Sequence, residues 1–160
     1  AEGDGAMARP AVPVPDGTVR VRELDPNQPY TNTIVNGPHH AWLADEPESA
    51  KGANLGPNPY ALLKAALGAC TSMTLRMYAG VKAWSVTGIT VDVTHDKVID
   101  PQGRKDDRGR PLKIDVFTRE IAIEGDLSAE ERAQLLKIAD RCPVHKTLHQ
   151  GAEIKTRAAG

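Results

Sequence analysis

Apolar and polar residues alternate along the amino-terminal third of the chain in the way that half-buried strands do. The alternation covers residues 18–24, a β-rich run follows at 30–35, and a third run covers 39–43. Asn36-Gly37, a strong hairpin signal, separates the second run from the third. These runs predict about three antiparallel strands.

Two stretches beside these strands lack any period. Residues 1–17 contain six glycines and prolines, a density that disfavours both helix and strand. We therefore predict a mobile amino-terminal tail over 1–17, followed by a single domain over 18–160. Residues 45–57 are also rich in proline and glycine, which predicts a loop that leads into the first helix, and loops of this length are often functional.

A long helix is predicted after this loop. Asn58 suits the N-cap position, and Pro59 suits the first helical turn. Five side chains then recur at helical spacing on one face, and Gly80 supplies a stop signal. The five side chains are those of Leu63, Leu67, Cys70, Thr74 and Met77.

The rest of the chain predicts a hairpin and further helices. Residues 86–99 and 112–124 are two long β-rich runs, and Ser128 with Glu131 has the form of a capping box before a helix. Residues 152–157 are predicted to form a last short strand. Because strands and helices come in blocks, we predict an α+β fold with antiparallel strands.

Composition excludes several classes of partner. The 160 residues carry a formal charge of −1, so the basic excess of a phosphate-backbone binder is missing and no nucleic acid is expected. No apolar run reaches the ~20 residues that span a bilayer, and the acidic start is unlike a secretion signal, so no membrane partner is expected. Aromatic residues make up only 4%, which predicts a core that is small or completed by a second chain.

Two cysteines, Cys70 and Cys142, are too few for a disulfide scaffold. We therefore expect a reducing, cytoplasmic environment. Small residues and hydroxyls surround Cys70 in the run 67–72, which suits a substrate pocket and equally suits close helix packing.

Cys142 has the clearer chemical environment. Pro143 can take the first helical position and leave Cys142 as the N-cap of a short helix. The thiol would then face free backbone N–H groups, with Arg141, His145 and Lys146 close by, and all of these favour thiolate. Cys142 is therefore a candidate nucleophile or redox partner, and a turn cysteine without chemistry is the alternative.

Other candidate sites are weaker. Cys142 and His145 have a C-x-x-H spacing that His39 or His40 could complete as a metal site, but the tight ligand pairs typical of zinc are missing. Asp45, Glu46 and Glu48 form an acidic cluster, which is typical of a solvated surface and could include a catalytic carboxylate. The sequence contains no phosphate-binding loop, serine elbow or dinucleotide fingerprint, and no bound cofactor is expected.

Two segments together resemble a known family. They are GPNPYALL at 56–63 running into ALGACTSMT at 66–74, and ADRCPVHKTL at 139–148. Both are similar to motifs of the OsmC/Ohr family, the osmotically induced and organic hydroperoxide resistance proteins. The resemblance implies an intertwined homodimer with antiparallel strands wrapped around a central helix, and a thiol peroxidase site at the subunit interface.

The resemblance also implies roles for individual residues. Cys70 matches the cysteine that attacks the peroxide, and Cys142 matches the resolving cysteine that forms a disulfide with it. A dithiol or lipoyl-type reductant would then reset the pair. Tyr60 stands where the family peroxidases have a Glu, and no arginine lies between Arg22 and Arg76 to hold the thiolate. The candidate supporting residues are Tyr60, Glu46, Glu48 and His145.

Three functions follow from these observations. The first is a peroxidase that acts on organic hydroperoxides, a stress-response oxidoreductase, because the helix face around Cys70 is apolar. The second is a non-catalytic protein of the same fold that binds a small apolar ligand or senses redox state. The third is a metal-binding protein that uses Cys142, His145 and one of the paired histidines.

Overall fold

The computed structural model describes residues 12–159. The chain divides into two compact units, one ending at Leu62 and the other beginning at Leu63. Most of the predicted tail, residues 1–11, lies outside the described residues. In the remainder of that segment, Val14 is buried, and the Pro15 carbonyl accepts a hydrogen bond from the Thr18 backbone N–H at 3.1 Å.

The first unit is built on a three-stranded antiparallel meander. Its strands are β1 (Val19–Asp25), β2 (Gln28–Asn36) and β3 (His40–Ala44), in the order β1-β2-β3. The predicted hairpin at Asn36-Gly37 is present, with Asn36 paired to His40 and Gly37 in the left-handed region at a φ of 49°. All three strands predicted from the alternation are confirmed.

A buried aspartate organises the loop that follows β3. Asp45 is only 2% exposed, and its carboxylate accepts a hydrogen bond from the Thr31 hydroxyl at 2.9 Å. Three backbone N–H groups also donate to this carboxylate, those of Glu46, Ala53 and Leu55. Asp45 therefore holds the loop in one conformation, which is a structural role for one member of the acidic cluster.

Close packing of the same loop requires glycine at two of its positions. A Cβ at Gly52 would lie 1.9 Å from the Glu46 carbonyl oxygen, and a Cβ at Gly56 would lie 2.2 Å from that of Leu43. Backbone atoms occupy the space that any larger residue needs. The irregular sequence of residues 45–57 thus encodes a tightly packed loop.

Helix α1 (Pro59–Lys82) begins as predicted. The side-chain oxygen of Asn58 accepts a hydrogen bond from the backbone N–H of Ala61 at 2.8 Å, which is an N-cap bond. The buried side chains of this helix follow a spacing of four and are Leu67, Thr71, Leu75 and Ala79. The predicted apolar face was therefore only partly correct, because Leu63 and Met77 are exposed.

Gly80 does not end the helix, and that prediction was wrong. The helix continues to Lys82, and Ala83 adopts a left-handed φ of 54°. The Ala83 N–H donates to the Gly80 carbonyl, and the Trp84 N–H donates to that of Ala79. These two bonds form a Schellman cap. A ring contact with the same helix accompanies the cap, because Trp84 packs edge-on against Tyr78 with ring centroids 5.7 Å apart.

The second unit continues with a long antiparallel hairpin, β4 (Ser85–Ile99) and β5 (Lys113–Asp126). Along β5 the inward side chains alternate with exposed ones. At the far end of the hairpin, Asp100 is buried, and its carboxylate pairs with Arg104. The predicted long hairpin is confirmed with slightly wider bounds.

Two further helices complete the second unit, α2 (Ala129–Ile138) and α3 (Pro143–Gln150), with a 3-10 turn (Ala139–Arg141) between them. The predicted capping box of Ser128 and Glu131 is present. Buried side chains from α1, β4, α2 and the 3-10 turn form one hydrophobic cluster of Leu75, Ala79, Val86, Leu135, Ile138 and Ala139.

The predicted last strand at 152–157 is not formed. These residues have no regular structure and are exposed, and Ile154 is 86% exposed. A β-rich sequence forms a strand only when a neighbouring strand accepts its backbone hydrogen bonds, and among residues 12–159 none pairs with this segment. The α+β fold with antiparallel strands is confirmed. No helix in the described part of the chain is long and apolar enough to cross a membrane.

Replacing Asp45 with asparagine is expected to lower the thermal stability of the protein at neutral pH. Burial raises the pKa of Asp45, but its four hydrogen bonds lower it by more, so the folded-state pKa lies below the ordinary value. A carboxylate with a lowered pKa stabilises the fold above its unfolded pKa, and that contribution disappears as the pH falls through its folded pKa. The difference in melting temperature between wild type and Asp45→Asn should therefore narrow under acid conditions.

Glu48→Gln is the matched control, because Glu48 is an exposed carboxylate in the same segment. It should melt like the wild type at every pH. Equal melting temperatures of wild type and Asp45→Asn at neutral pH would contradict the structural role of Asp45.

Candidate functional site

Helix α1 places a cysteine and a buried hydroxyl side by side. Cys70 is half-buried, whereas the next residue, Thr71, is fully buried. The Thr71 hydroxyl donates to the Leu67 carbonyl at 2.7 Å, one turn earlier in the helix. Consecutive helical residues point about 100° apart, so Cys70 lies at the edge of the core while Thr71 points into it.

Cys142 caps helix α3, as the Cys142-Pro143 sequence predicts. Pro143 takes the first helical position, and the Cys142 sulfur accepts a hydrogen bond from the backbone N–H of His145, with N and Sγ 3.4 Å apart. The side chain of Cys142 is completely buried. A sulfur in this position meets the unpaired N–H groups of the first helical turn, which favour negative charge.

The two cysteine side chains interact with each other, and both thiols are free. Burial raises the pKa of the Cys70 thiol, and the hydrogen bond with Cys142 raises it further. Weaker hydrogen bonds from the Val144 backbone and the Thr74 hydroxyl act in the opposite direction and do not outweigh these effects. Cys70 is therefore the member of the pair that keeps its proton.

The pKa of Cys142 shifts the other way. Burial raises it, but the hydrogen bonds that the sulfur accepts lower it by more. The donors are the Cys70 thiol, the His145 backbone, the Thr71 hydroxyl and the Val144 backbone. Of the two thiols, Cys142 is thus the more readily ionised.

An arginine that the sequence analysis did not identify lies beside this pair. Arg119 is an inward-facing residue of β5, and its side chain is 12% exposed. Its guanidinium donates to the Thr71 hydroxyl oxygen at 2.9 Å, the Ala139 carbonyl at 2.9 Å, the Asp140 carboxylate at 3.0 Å and His145 Nδ1 at 2.8 Å. Because a guanidinium only donates, His145 Nδ1 is an acceptor and carries no proton.

One sequence signal could have identified Arg119. It occupies an inward position of a strand whose neighbouring inward positions, Phe117 and Ile121, are apolar. A charge on an apolar strand face is unusual unless it has buried partners. The family resemblance implies an arginine from the amino-terminal strands, whereas Arg119 lies on β5.

The structure thus brings some of the predicted site residues together and not others. Cys70, Cys142 and His145 lie in one cluster of the second unit. Tyr60, Glu46 and Glu48 belong to the first unit. There, Tyr60 is 42% exposed in the first turn of α1, Glu46 is half-buried and Glu48 is exposed.

The metal site is not supported by the described residues. Among residues 12–159 no three histidine, cysteine, aspartate or glutamate side chains gather closely enough to hold a metal ion. His39 instead bonds to Asp16 at 3.2 Å, in the first unit. His145 accepts a hydrogen bond from Arg119, as described above.

A cavity of about 260 Å³ is lined in part by Arg119 and His145. Its wall combines apolar side chains with imidazole and guanidinium groups, and neither cysteine contributes to it. The lining residues are Leu67, Asp115, Val116, Phe117, Arg119, His145, Leu148 and His149.

The sequence and the fold both match known proteins. The family model described as OsmC-like protein matches residues 51–157. No curated protein matches the chain.

Several solved structures share the fold. An OsmC-like protein from Mycoplasma pneumoniae has a TM-score of 0.62 and 20% identity, covering 84% of this chain and 89% of its own. OhrB of Bacillus subtilis, an organic hydroperoxide resistance protein, has a TM-score of 0.56 and 20% identity, covering 81% and 89%. An organic hydroperoxide resistance protein OsmC from Legionella pneumophila has a TM-score of 0.56 and 18% identity, covering 82% and 88%.

The opposite pKa shifts of Cys70 and Cys142 predict how the two thiols titrate. In the reduced wild type, ultraviolet thiolate absorbance should show a first titration below the ordinary thiol pKa of about 8.5. Cys70→Ser should retain this low titration, because the backbone donors to Cys142 remain. Cys142→Ser should lose it and leave Cys70 titrating at or above the ordinary value. A low titration that persists in Cys142→Ser would place the charge on Cys70 instead.

Proposed function

Because the chain belongs to the OsmC-like protein family, we propose that it is a thiol-dependent peroxidase that reduces organic hydroperoxides with Cys70 and Cys142. The observation that carries this proposal is the interaction between two free cysteines, the half-buried Cys70 and the buried Cys142, which shift each other's pKa in opposite directions. A peroxidase of this type needs two thiols close enough to form a disulfide after the first reacts with peroxide.

The two cysteine sulfurs differ in solvent exposure, and this difference assigns them different roles. Cys70 is half-buried and accessible, whereas Cys142 is completely buried. A hydroperoxide can therefore reach Cys70 first, although Cys142 is the more readily ionised thiol. Ionised Cys142 then acts as the base that accepts the proton of Cys70, because the two side chains interact.

Protons and electrons balance over the first step. The Cys70 proton moves to Cys142, and the Cys70 thiolate attacks the terminal oxygen of the hydroperoxide. The O–O bond breaks, Cys70 becomes a sulfenic acid, and the leaving alkoxide takes the proton back from Cys142 to become an alcohol. Cys70 is oxidised, the hydroperoxide is reduced by two electrons, and Cys142 is again a thiolate.

The second step forms the disulfide. The Cys142 thiolate attacks the Cys70 sulfur and displaces hydroxide, which leaves as water after taking a proton from solvent. An external dithiol, of lipoyl type in the family that the chain resembles, then reduces the disulfide by exchange. No bound cofactor takes part in either step.

The class of substrate follows from the surface beside Cys70. Leu63, Met73 and Met77 lie on the same side of α1 and are all exposed apolar side chains. An apolar approach favours an organic hydroperoxide over hydrogen peroxide. Two structural neighbours are themselves named organic hydroperoxide resistance proteins.

The reduced protein should consume an organic hydroperoxide catalytically when a dithiol donor is supplied. Cys70→Ser should abolish turnover. Cys142→Ser should consume about one equivalent and accumulate a sulfenic acid at Cys70, which a dimedone-type probe traps and mass spectrometry locates. Reaction in Cys70→Ser without reaction in Cys142→Ser would reverse the two roles.

A second candidate function is supported by the cavity beside Arg119. It combines apolar walls with cationic or imidazole groups and excludes both cysteines, which suits a small amphipathic ligand in a non-catalytic protein. Wild-type protein that consumes no hydroperoxide under any dithiol would favour this function.

We also propose that the protein is a homodimer. Three of the most exposed apolar side chains of the second unit, Met73, Met77 and Val81, lie along one side of α1 and are 70%, 68% and 80% exposed. Contiguous apolar surface of this kind on a helix is typical of an interface. A second copy of the chain is the proposed occupant, in line with the family resemblance and the low aromatic content.

Light scattering should show a dimer at micromolar concentration, with an obligate interface on the order of 2,000 Å² or more. Met77→Lys should dissociate it or prevent its assembly, because a lysine charge would be buried there. Leu136→Lys is the matched control, since Leu136 is an exposed apolar residue of another helix and is 52% exposed. A wild type that is monomeric would reject the dimer.

A further inference from the structure

We propose that the cavity lined by Arg119 and His145 binds a small monocarboxylate, with the carboxylate on these two side chains and the hydrocarbon chain along the apolar wall. The inference names the class of ligand for the second candidate function, on which it rests, and it is independent of the cysteine chemistry. Its basis is the hydrogen-bond donors at one end of the cavity, the apolar wall and the size of the space.

Arg119 keeps one N–H that no described residue uses. Its two terminal nitrogens donate the hydrogen bonds described above. A guanidinium has one further N–H, on Nε, and within residues 12–159 this group donates to no acceptor. No fully buried side-chain nitrogen of these residues lacks a partner, so solvent reaches the Nε–H. Because Arg119 lines the cavity, this donor is available to a ligand there.

His145 supplies a second donor to the same cavity. Its Nδ1 accepts from Arg119 at 2.8 Å, so the neutral imidazole carries its proton on Nε2. In the described part of the chain no acceptor takes this proton, and the ring is partly exposed. The His149 ring stacks on it with centroids 5.9 Å apart, which restricts its rotation. Two neighbouring donors without an acceptor suit a carboxylate, which accepts at both oxygens.

The acidic residue of the cavity lies at its other end. Asp115 and Arg119 are four residues apart on β5, which puts both side chains on one face and their Cα atoms about 13 Å apart. The Asp115 carboxylate already pairs with His95 at 2.8 Å and with Lys97 at 3.3 Å. Charges separated by more than the ~8 Å Debye length are largely screened. Asp115 therefore does not prevent an anion from binding to Arg119 and His145.

The space between the two ends is apolar and small. Phe117 lies between Asp115 and Arg119 on the same strand face, and Leu67 and Leu148 also line the cavity. Its volume of about 260 Å³ equals that of about nine water molecules at ~30 Å³ each. A ligand with roughly that number of non-hydrogen atoms fills it. Heptanoate has this size, and it combines an anionic head with an unbranched apolar chain.

The test is calorimetric titration of the reduced full chain with heptanoate, which should bind at one site. Affinity should rise roughly 3- to 4-fold for each methylene between butanoate and heptanoate, because each is buried. Decanoate should gain nothing further, because the cavity is already full. 1-Heptanol and heptylamine have the same chain and no carboxylate, and both should bind at least ~10-fold more weakly.

Variants of the lining residues test where the carboxylate lies. His145→Phe keeps an aromatic ring and loses the Nε2–H, so it should weaken heptanoate binding ~10-fold. Arg119→Gln loses both the charge and the Nε–H and should weaken it further. Asp115→Asn is the matched control in the same cavity, and its affinity should stay within about twofold of wild type. If Arg119→Gln does not fold, His145→Phe and Asp115→Asn still decide the question.

Three results would overturn the proposal. They are no heptanoate binding to the wild type, equally tight binding of heptylamine or 1-heptanol, and unchanged affinity in His145→Phe. Hydroperoxide consumption is measured separately on protein without carboxylate. Turnover without heptanoate binding would reject this inference and leave the peroxidase in place, whereas heptanoate binding without turnover would support the inference and reject the peroxidase.

Discussion

The guanidinium of Arg119 ties together four segments of the second unit. It joins β5 to Thr71 on α1, to the Ala139 carbonyl and the Asp140 carboxylate in the 3-10 turn, and to His145 on α3. Both cysteines lie on segments that this side chain fixes. The geometry of the pair depends on it more than on any single apolar contact, because each of its hydrogen bonds has a defined direction.

The charge of this guanidinium is only partly neutralised by its ion pair. Asp140 lies at 3.0 Å, but its carboxylate is 68% exposed, so solvent and salt screen much of the attraction. The other acceptors of Arg119 are uncharged atoms. The Cys142 sulfur accepts a hydrogen bond from the backbone N–H of His145, a residue that this guanidinium also contacts. That hydrogen bond distinguishes Cys142 from a cysteine that merely fills space in a core.

The sequence predicted features that depend on a few adjacent residues. Asn58 as an N-cap, the Ser128 capping box and the Cys142-Pro143 start of α3 all follow from local backbone chemistry. Arg119 was missed because its partners are brought together only by the packing of β5 against α1 and the later helices. The strand predicted at residues 152–157 does not form for a related reason, since strand propensity is satisfied only when a partner strand is present.

The joint between α1 and β4 shows how tertiary packing overrules local preference. A left-handed alanine costs roughly 1–2 kcal/mol, which disfavours the turn about 5- to 30-fold in an isolated chain. Ala83 adopts that conformation nonetheless, with the Trp84 N–H bound to the Ala79 carbonyl and the Trp84 ring against Tyr78. This is a point of local frustration in the energy landscape. The direction in which the hairpin leaves the helix is consequently set by the packing of Trp84, which contacts Tyr78 and lies against the hydrophobic cluster of the second unit.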